Sequence, residues 1–153
     1  MFDVSPLPLE EQILTGCSHL AVIDYAKLAE TAATSVTLTL SSGSARDVIE
    51  NVRFDLVTPF DGGATSALTI DVGYDLAAGT DDPDAFIDAV ELHADGTEIV
   101  ASIGTGLRYA TLESYSLTAL FTATDANLTA LTTGKVHVYF KLTPFTALRG
   151  IND

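Results

Sequence analysis

Residues 51–74 read NVRFDLVTPFDGGATSALTIDVGY and contain two stretches in which apolar and polar side chains alternate. In residues 52–56 the apolar side chains are Val, Phe and Leu, and in residues 68–74 they are Leu, Ile, Val and Tyr. A period of two places one face of a strand in a core and the other in water, as half-buried antiparallel strands require. The stretch predicts two β-strands, and the turn-forming Asp61-Gly62-Gly63 between them predicts a hairpin-type connection.

The same alternation recurs elsewhere in the chain. It predicts further strands over residues 36–40, 115–122 and 136–143, and weaker ones over residues 20–25 and 98–103. Threonine and valine are frequent in these segments, and both suit a pleated surface better than a helix. Seven or eight strands with short connections predict an all-β fold, an antiparallel β-sandwich of jelly-roll-like type.

Helix is predicted in only two places within this body. Asp82 and Pro83 are residue types that favour an N-cap and a first helical position, so residues 84–92 are expected to form one or two helical turns. Residues 125–131 are expected to form another short helix. Turns are expected at Ser42-Gly43 and at similar pairs.

Residues 1–18 are expected to form a short N-terminal arm, followed by one β-sandwich domain over residues 19–153. Pro6 and Pro8 interrupt regular structure, and residues 9–14 are expected to make one short helical turn before a glycine. An arm of this kind is either loose or tied down by a neighbouring subunit. Deletion of residues 1–16 is therefore expected to leave the melting temperature of the fold nearly unchanged.

The composition excludes several classes of protein. Hydrophobic residues make up 47% of the chain, which excludes a disordered acidic tail. A net charge of −14 argues against nucleic acid as a partner, because phosphate binding needs clustered Lys and Arg. No secretory signal or apolar run of membrane-spanning length is visible, so we expect no membrane partner and synthesis in the cytoplasm. Cys17 is the sole cysteine, so an intrachain disulfide is excluded.

No catalytic or cofactor motif stands out, and the chain is expected not to be an enzyme. The nucleophile-elbow pattern is absent, because Ser41-Ser42-Gly43-Ser44 lacks its spacing. Ser18 beside His19 is a pair of the kind that occurs by chance. Gly104-Thr105-Gly106 lacks the third glycine of a dinucleotide-binding loop, so no cofactor site is predicted.

Metal ligands are considered in two places. Glu91, His93 and Asp95 share one parity on a predicted strand, which fits either a ligand-bearing face or an ordinary solvated one. The acidic segment from Asp81 to Asp88 is the best calcium candidate, although a capped turn explains it equally well. The three histidines of the chain show no zinc spacing, and no metal site is predicted.

A glycosidase pair of carboxylates is also weighed. Asp71 and Asp75 lie on one face of a predicted strand, roughly 13 Å apart at the rise of an extended chain. That distance exceeds the separation of about 5–9.5 Å that glycoside hydrolysis uses. The chain also has no tryptophan with which to stack a sugar.

The order of strand and turn residues over roughly residues 48–142 resembles small β-sandwich structural proteins of tailed bacteriophages. The resemblance is carried by residues 51–63 (NVRFDLVTPFDGG), 67–73 (ALTIDVG), 79–87 (GTDDPDAFI), 115–119 (YSLTA) and 134–140 (GKVHVYF). Proteins of this type occur among capsid decoration, or cement, proteins and among other head or fibre components. The resemblance supplies no catalytic residues, and it does not extend to the arm.

The resemblance implies a bacteriophage virion structural protein, a capsid decoration protein on the capsid surface that binds and stabilises the assembled major capsid protein as a homotrimer. Apolar residues at nominally solvent-facing strand positions, Val57, Leu120 and Tyr139, are the suggested interface if they gather on one face. The alternative is a phage fibre or tail component, or a carbohydrate- or receptor-binding β-sandwich module with or without calcium. A carboxylate hydrolase is a third possibility.

Overall fold

The structure, a computed structural model, describes residues 1–95, 102–104, 108–110 and 113–144. Within these residues ten strands form two antiparallel sheets, with helices α1 (Leu9–Thr15) and α2 (Tyr25–Leu28) and a 3₁₀ turn over Leu128–Ala130. The strands in chain order are β1 (Phe2–Pro6), β2 (His19–Asp24), β3 (Ser35–Gly43), β4 (Val48–Asp61), β5 (Ala67–Leu76), β6 (Asp82–Glu91), β7 (Ser102–Gly104), β8 (Arg108–Ala110), β9 (Tyr115–Thr124) and β10 (Thr133–Thr143).

The strand order is that of a jelly roll with two additions. Sheet A has the order β1-β2-β10-β4-β7, with β8 also paired to β4, and sheet B has the order β3-β9-β5-β6. The chain therefore crosses repeatedly between the sheets, and β2-β10-β4-β7 facing β3-β9-β5-β6 is the interleaving of two Greek keys. The predicted all-β class and antiparallel sandwich are confirmed, and β1 and β8 are extra strands of sheet A.

The core lies between the two sheets and is built by the alternating side chains. Phe54 and Phe140 from sheet A and Phe121 from sheet B are fully buried, and the Phe60 ring lies 6.4 Å from that of Phe121. Gly134 (φ 132°) allows β10 to pass close to the Phe60 ring, because a Cβ at this position would lie 2.2 Å from a ring carbon. The period of two therefore identified the core-facing residues of these strands.

The predicted helix over residues 84–92 is wrong, because this segment is strand β6, paired with β5. The register shifts between Ile70 and Val72 and again between Val72 and Tyr74 insert extra residues into β6. These irregularities bring the neighbours Phe86 and Ile87 both into the core, which hides the period of two.

The predicted hairpin at Asp61-Gly62-Gly63 is also wrong, because this connection leads from sheet A to sheet B. The glycines are nevertheless required, since a Cβ on Gly62 (φ 151°) would lie 2.4 Å from the carbonyl oxygen of Ala130. Ser42 and Gly43 are the last residues of β3 and not a turn.

The remaining predicted elements have these outcomes. The strands expected over residues 20–25, 36–40, 115–122 and 136–143 are present, with the bounds given above. The strand expected over residues 98–103 is represented by β7, while residues 98–101 lie outside the described part. The helix expected over 125–131 is reduced to the 3₁₀ turn. No helix among the described residues combines the length and hydropathy of a membrane span.

The N-terminal segment lies along the edge of its own sheet. β1 pairs antiparallel with β2 from Phe2 opposite Ile23 to Pro6 opposite His19, and the Met1 ammonium forms an ion pair with Asp24. Leu7 is buried, and the Phe2 side chain packs against the core. The segment expected to be loose or held by a neighbour is therefore held by its own chain.

Candidate attachment surface

Helix α1 is held at both of its ends. Before the helix, Leu7 is buried and its carbonyl oxygen accepts a hydrogen bond from Gln12 Nε2 at 2.7 Å. After it, Gly16 adopts the left-handed conformation (φ 69°), and its N–H donates to the Gln12 carbonyl at 2.9 Å. Asn51 of β4 donates from Nδ2 to the Gly16 carbonyl at 3.0 Å. The helix is thereby fixed to sheet A.

Cys17 provides the anchor that follows Gly16. Its side chain is 1% exposed, and its Sγ donates to the Asn51 carbonyl at 3.2 Å. Burial raises the pKa of the Cys17 thiol, against the opposing influence of the Arg53 charge. The thiol is therefore a packed anchoring group rather than an activated nucleophile.

Helix α1 buries none of its own residues and presents its large apolar side chains to solvent. Leu9, Ile13 and Leu14 are 70%, 75% and 85% exposed. Leu9 and Ile13 are four residues apart and so share one helix face. A seven-residue helix is marginal alone, and most helices are stabilised by packing an apolar face. An apolar helix fixed at both ends and left uncovered is typical of a contact surface.

Helix α1 itself carries two acidic side chains. Glu10 and Glu11 lie in its first turn, where negative charge is favoured by the helix dipole. The whole chain carries a net charge of −14. A surface complementary to α1 is therefore apolar at its centre and basic at its rim.

The outer face of sheet A carries a second group of large side chains. The Arg53 guanidinium lies 4.8 Å from the centre of the Tyr139 ring, and the His137 ring meets that ring edge-on at 6.2 Å. Arg53 also pairs with Asp55 at 3.4 Å. Burial, with the Asp55 charge, raises the pKa of Tyr139. The face of this tyrosine is thus occupied by Arg53 within the protein itself.

The three apolar residues proposed as an interface do not gather on one face. Val57 and Tyr139 belong to strands of sheet A, whereas Leu120 belongs to β9 of sheet B. Val57 is 51% exposed and the other two are half-buried. This suggested signal for an oligomer interface is therefore not supported.

Ser18 and His19 are in contact but are occupied by the sheet. Ser18 Oγ lies 2.8 Å from His19 Nδ1 and accepts a hydrogen bond from the Leu142 amide at 2.9 Å. The His19 ring stacks on Phe140 with 5.4 Å between centroids, and burial lowers the pKa of this histidine. These contacts join β2 to β10. In the Gly104-Thr105-Gly106 segment, Gly104 is the last residue of β7, and residues 105–106 lie outside the described part.

The residues of the calcium candidate lie on the β5–β6 hairpin and not on an open loop. Asp81 Oδ1 accepts the Leu76 amide at 2.8 Å. A hydrogen bond from Asp84, with burial and the Asp84 charge, raises the pKa of Asp82. Asp88 is an exposed residue of β6. The acidic side chains protect the edge strand β6 from pairing with other strands.

The two carboxylates weighed for glycoside hydrolysis have separate surroundings. Asp71 Oδ1 accepts the amide of Ala89, which has a positive φ of 43°. Burial raises the pKa of Asp71, and the nearby charges of Asp88 and Asp84 act in the same direction. Asp75 lies on the rim of a shallow hollow next to Tyr115, whose pKa burial raises to about 12.

Two of the remaining ligand candidates, Glu91 and His93, accept hydrogen bonds from backbone amides. Glu91 Oε1 accepts the amides of Leu68 at 2.9 Å and of His93 at 2.8 Å. His93 is fully buried, and its Nδ1 accepts the Asp95 amide at 3.2 Å. His137 lies on the outer face of sheet A. In the described part of the chain, no three His, Cys, Asp or Glu residues are arranged to hold a metal ion.

Two hollows on the described surface are small. One, of about 240 Å³, lies between the end of α1 and β10 and is lined by Gln12, Cys17 and Lys141 among others. The hollow beside Tyr115 has about 200 Å³. Pockets for small ligands usually have roughly 300–1,000 Å³. Both of these hollows are therefore smaller than usual small-ligand sites.

Comparison with known proteins gives a limited result. No protein-family model matches the chain, and no curated protein gives a significant match. A chain of the acidic stable capsid structure of Helicobacter pylori bacteriophage KHP30 aligns with a TM-score of 0.49 and 15% identity, over 94% of each chain. The CBM22-1 xylan-binding domain of Paenibacillus barcinonensis Xyn10C aligns with a TM-score of 0.35 and 16% identity, over 94% of this chain and 81% of that one. At these values neither alignment assigns a function to this chain.

Sequence reasoning missed the exposed helix as a site. The helical turn at residues 9–14 was predicted, but its apolar residues were not singled out. The signal was present, because Leu9 and Ile13 have helical spacing while Pro6 and Pro8 restrict the packing of this segment into the core. Spacing of this kind usually marks a buried face, so exposure becomes visible only in the folded structure.

Proposed function

We propose that this chain is a non-enzymatic structural protein of a tailed-bacteriophage virion, a capsid decoration protein that binds the assembled shell of the major capsid protein through helix α1. The observation that carries the proposal is the exposure of Leu9, Ile13 and Leu14 on a helix whose two ends are fixed to sheet A. An attachment helix of this kind is ordered before it binds, so little conformational entropy is lost on contact.

The two parts of the chain have separate roles in this proposal. The resemblance to phage β-sandwich proteins covers roughly residues 48–142, the part of the chain that contains β4 to β10 but not the jelly-roll strands β2 and β3. The attachment helix lies outside that range. A body of a widely used fold, joined to an N-terminal segment of its own, suits a protein that must fit one particular shell.

The contacts favour this proposal over a carbohydrate-binding module. A sugar-binding sheet face needs an aromatic ring whose face is open for stacking. On the outer face of sheet A the Tyr139 ring is covered by Arg53 at 4.8 Å. The exposed apolar helix, in contrast, is suited to a protein groove that is rimmed by basic residues.

The homotrimer and the capsid-surface location are parts of the same proposal and rest on the sequence resemblance. The net charge of −14 supports a location on the outside of the shell, because an acidic protein stays soluble at high local concentration and is repelled by the packaged nucleic acid.

The test is to dissociate purified virions of the phage that encodes this chain and to count its copies per particle by quantitative mass spectrometry. A copy number comparable with that of the major capsid protein supports the proposal. Absence from the particle contradicts it, and a few copies per particle assign the chain to the tail or fibre instead. Virions bearing an irrelevant phage's capsid, mixed with the purified chain, control for adventitious adsorption.

A further inference from the structure

The four edges of the two sheets are not equally protected against pairing with another strand. Edge strand β6 carries Asp82, Pro83 and Asp84, and Ala89 adds a bulge with a positive φ. Acidic residues, proline and bulges are the devices that prevent edge-to-edge association. On sheet A, β1 has five residues and ends at Pro6, and β7 and β8 have three residues each.

Edge strand β3 contains neither charged residues nor proline to prevent pairing with another strand. Its nine residues, SVTLTLSSG over Ser35–Gly43, include no charge and no proline. It pairs with β9 on one side, and no other described strand pairs with it on the other side. A long, uncharged edge strand offers unpaired N–H and C=O groups to a further strand.

We propose that β3 pairs antiparallel with β3 of a second copy of this chain, about a two-fold axis that passes through Thr37. The regular part of the strand is Ser35–Thr39, since the register with β9 shifts between Thr39 and Ser41. Antiparallel pairing about Thr37 places each Val36 opposite Leu38 of the partner subunit. Both of these side chains then lie on the core side, where Leu38 is already buried.

Charge favours the β3 edge over the β6 edge for contact with a second copy, because β3 carries no charged residue. Two chains of net charge −14 repel one another, and the repulsion is strongest where carboxylates face each other. The β6 edge would bring several aspartates of each copy together, whereas the β3 edge brings no charged residue to the line of contact. The exposed Thr37 side chains would meet on the outer face, and Thr–Thr pairs stabilise antiparallel sheets.

The pairing would join the B sheets of the two copies into one eight-stranded sheet. It goes beyond the proposed function, because it uses a sheet edge and does not involve α1. A two-fold contact is isologous, so the assembly has an even number of chains. Combined with the proposed homotrimer it gives a hexamer when the two-fold and three-fold axes meet at right angles. A β3 contact and a capsid contact through α1 therefore succeed or fail independently.

The first experiment measures the mass of the full chain in solution by sedimentation equilibrium up to millimolar concentration. We expect dimers or hexamers, and a change of Thr37→Glu is expected to weaken the even-numbered assembly at least about fivefold, because like charges directly opposite each other repel. Thr58→Glu is the matched control, since Thr58 is an exposed strand residue of sheet A and the change in net charge is the same. An assembly that is only monomeric or trimeric, or equal effects of the two changes, would overturn the proposal.

The second experiment tests the register and uses oxidation of Thr37→Cys. Residues directly opposite in an antiparallel pair have Cβ atoms about 4.5–5.5 Å apart, close to the separation in a disulfide. We expect a covalent dimer with this variant and none with Thr58→Cys. Both variants retain the buried Cys17, so any cross-linking through Cys17 is the same in the two proteins. Equal cross-linking of the two variants, or none with Thr37→Cys, would contradict the pairing.

Discussion

Replacing Leu9, Ile13 and Leu14 together by glutamine is expected to abolish attachment to the capsid shell while leaving the fold intact. The three side chains are 70%, 75% and 85% exposed, so most of their surface is available to a partner. Full burial of such a side chain is worth about 1.5–3 kcal/mol, and the exposed fractions leave roughly 3–7 kcal/mol for the three together. Even about 3 kcal/mol corresponds to roughly a hundredfold weaker binding.

The fold is expected to tolerate this change, because no residue of α1 is buried and glutamine is a good helix former. The free energy of unfolding should change by less than about 0.5 kcal/mol for each substitution, as for other surface positions. Co-sedimentation of the purified chain with undecorated shells measures attachment, and chemical denaturation measures stability. Val57→Gln is the control, since Val57 is also exposed but lies on β4. Undiminished binding of the triple variant would refute the role of α1.

Three further predictions concern how the N-terminal segment and β6 are held. Leu7→Ala is expected to lower the free energy of unfolding by about 2–5 kcal/mol in denaturant titrations, because Leu7 is buried; no change would mean that the segment is not part of the folded body. Although burial acts to raise it, the pKa of Asp24 is held below its usual value by the N-terminal ammonium and the Lys27 amide. A carboxyl whose pKa is lower in the folded than in the unfolded state stabilises the fold above the unfolded pKa, and this stabilisation is lost as the pH falls through the folded pKa. The difference in unfolding free energy between wild type and Asp24→Asn should therefore vanish in acid. A difference that is independent of pH would contradict this. Because burial raises the pKa of Asp71, Asp71→Asn should keep or increase stability near neutral pH in thermal melts. Asp71→Ala should lose about 1 kcal/mol, because it leaves the Ala89 amide without its acceptor. Equal losses for the two variants would refute this explanation.

The sequence predicted the strands whose alternation is regular. Residues 68–74 pair with β9 residue by residue, and their apolar side chains face the core without interruption. Where one face of a strand is buried, the period of two is a direct consequence of burial. These positions were therefore predictable from side-chain order alone.

The strand β6 was not predictable in this way. Asp82 followed by Pro83 fits the start of a helix, but the same pair also suits the start of an edge strand. The irregular register with β5 brings Phe86 and Ile87 together into the core, with Val90 partly buried four residues after Phe86, which imitates helical spacing. Only pairing with β5 distinguishes the two structures, and pairing is a tertiary contact.

The connection at residues 61–63 and the role of the N-terminal segment were missed for a related reason. Turn residues report the backbone geometry that is needed locally, and Gly62 does adopt a positive φ, but they do not report which sheet the chain enters next. Residues 1–18 contain two prolines and few strand-forming residues, so their pairing with β2 depends on the exposed edge that β2 provides. The exposure of α1 depends in turn on that docking.

A reconstruction of the decorated virion would test the central claim most directly. We expect density for this chain on the outer surface of the shell, with Leu9, Ile13 and Leu14 seated in an apolar groove of the major capsid protein. Basic side chains of that protein should face Glu10 and Glu11. A particle that contains the chain with α1 turned toward solvent, or a particle that does not contain the chain, would contradict it.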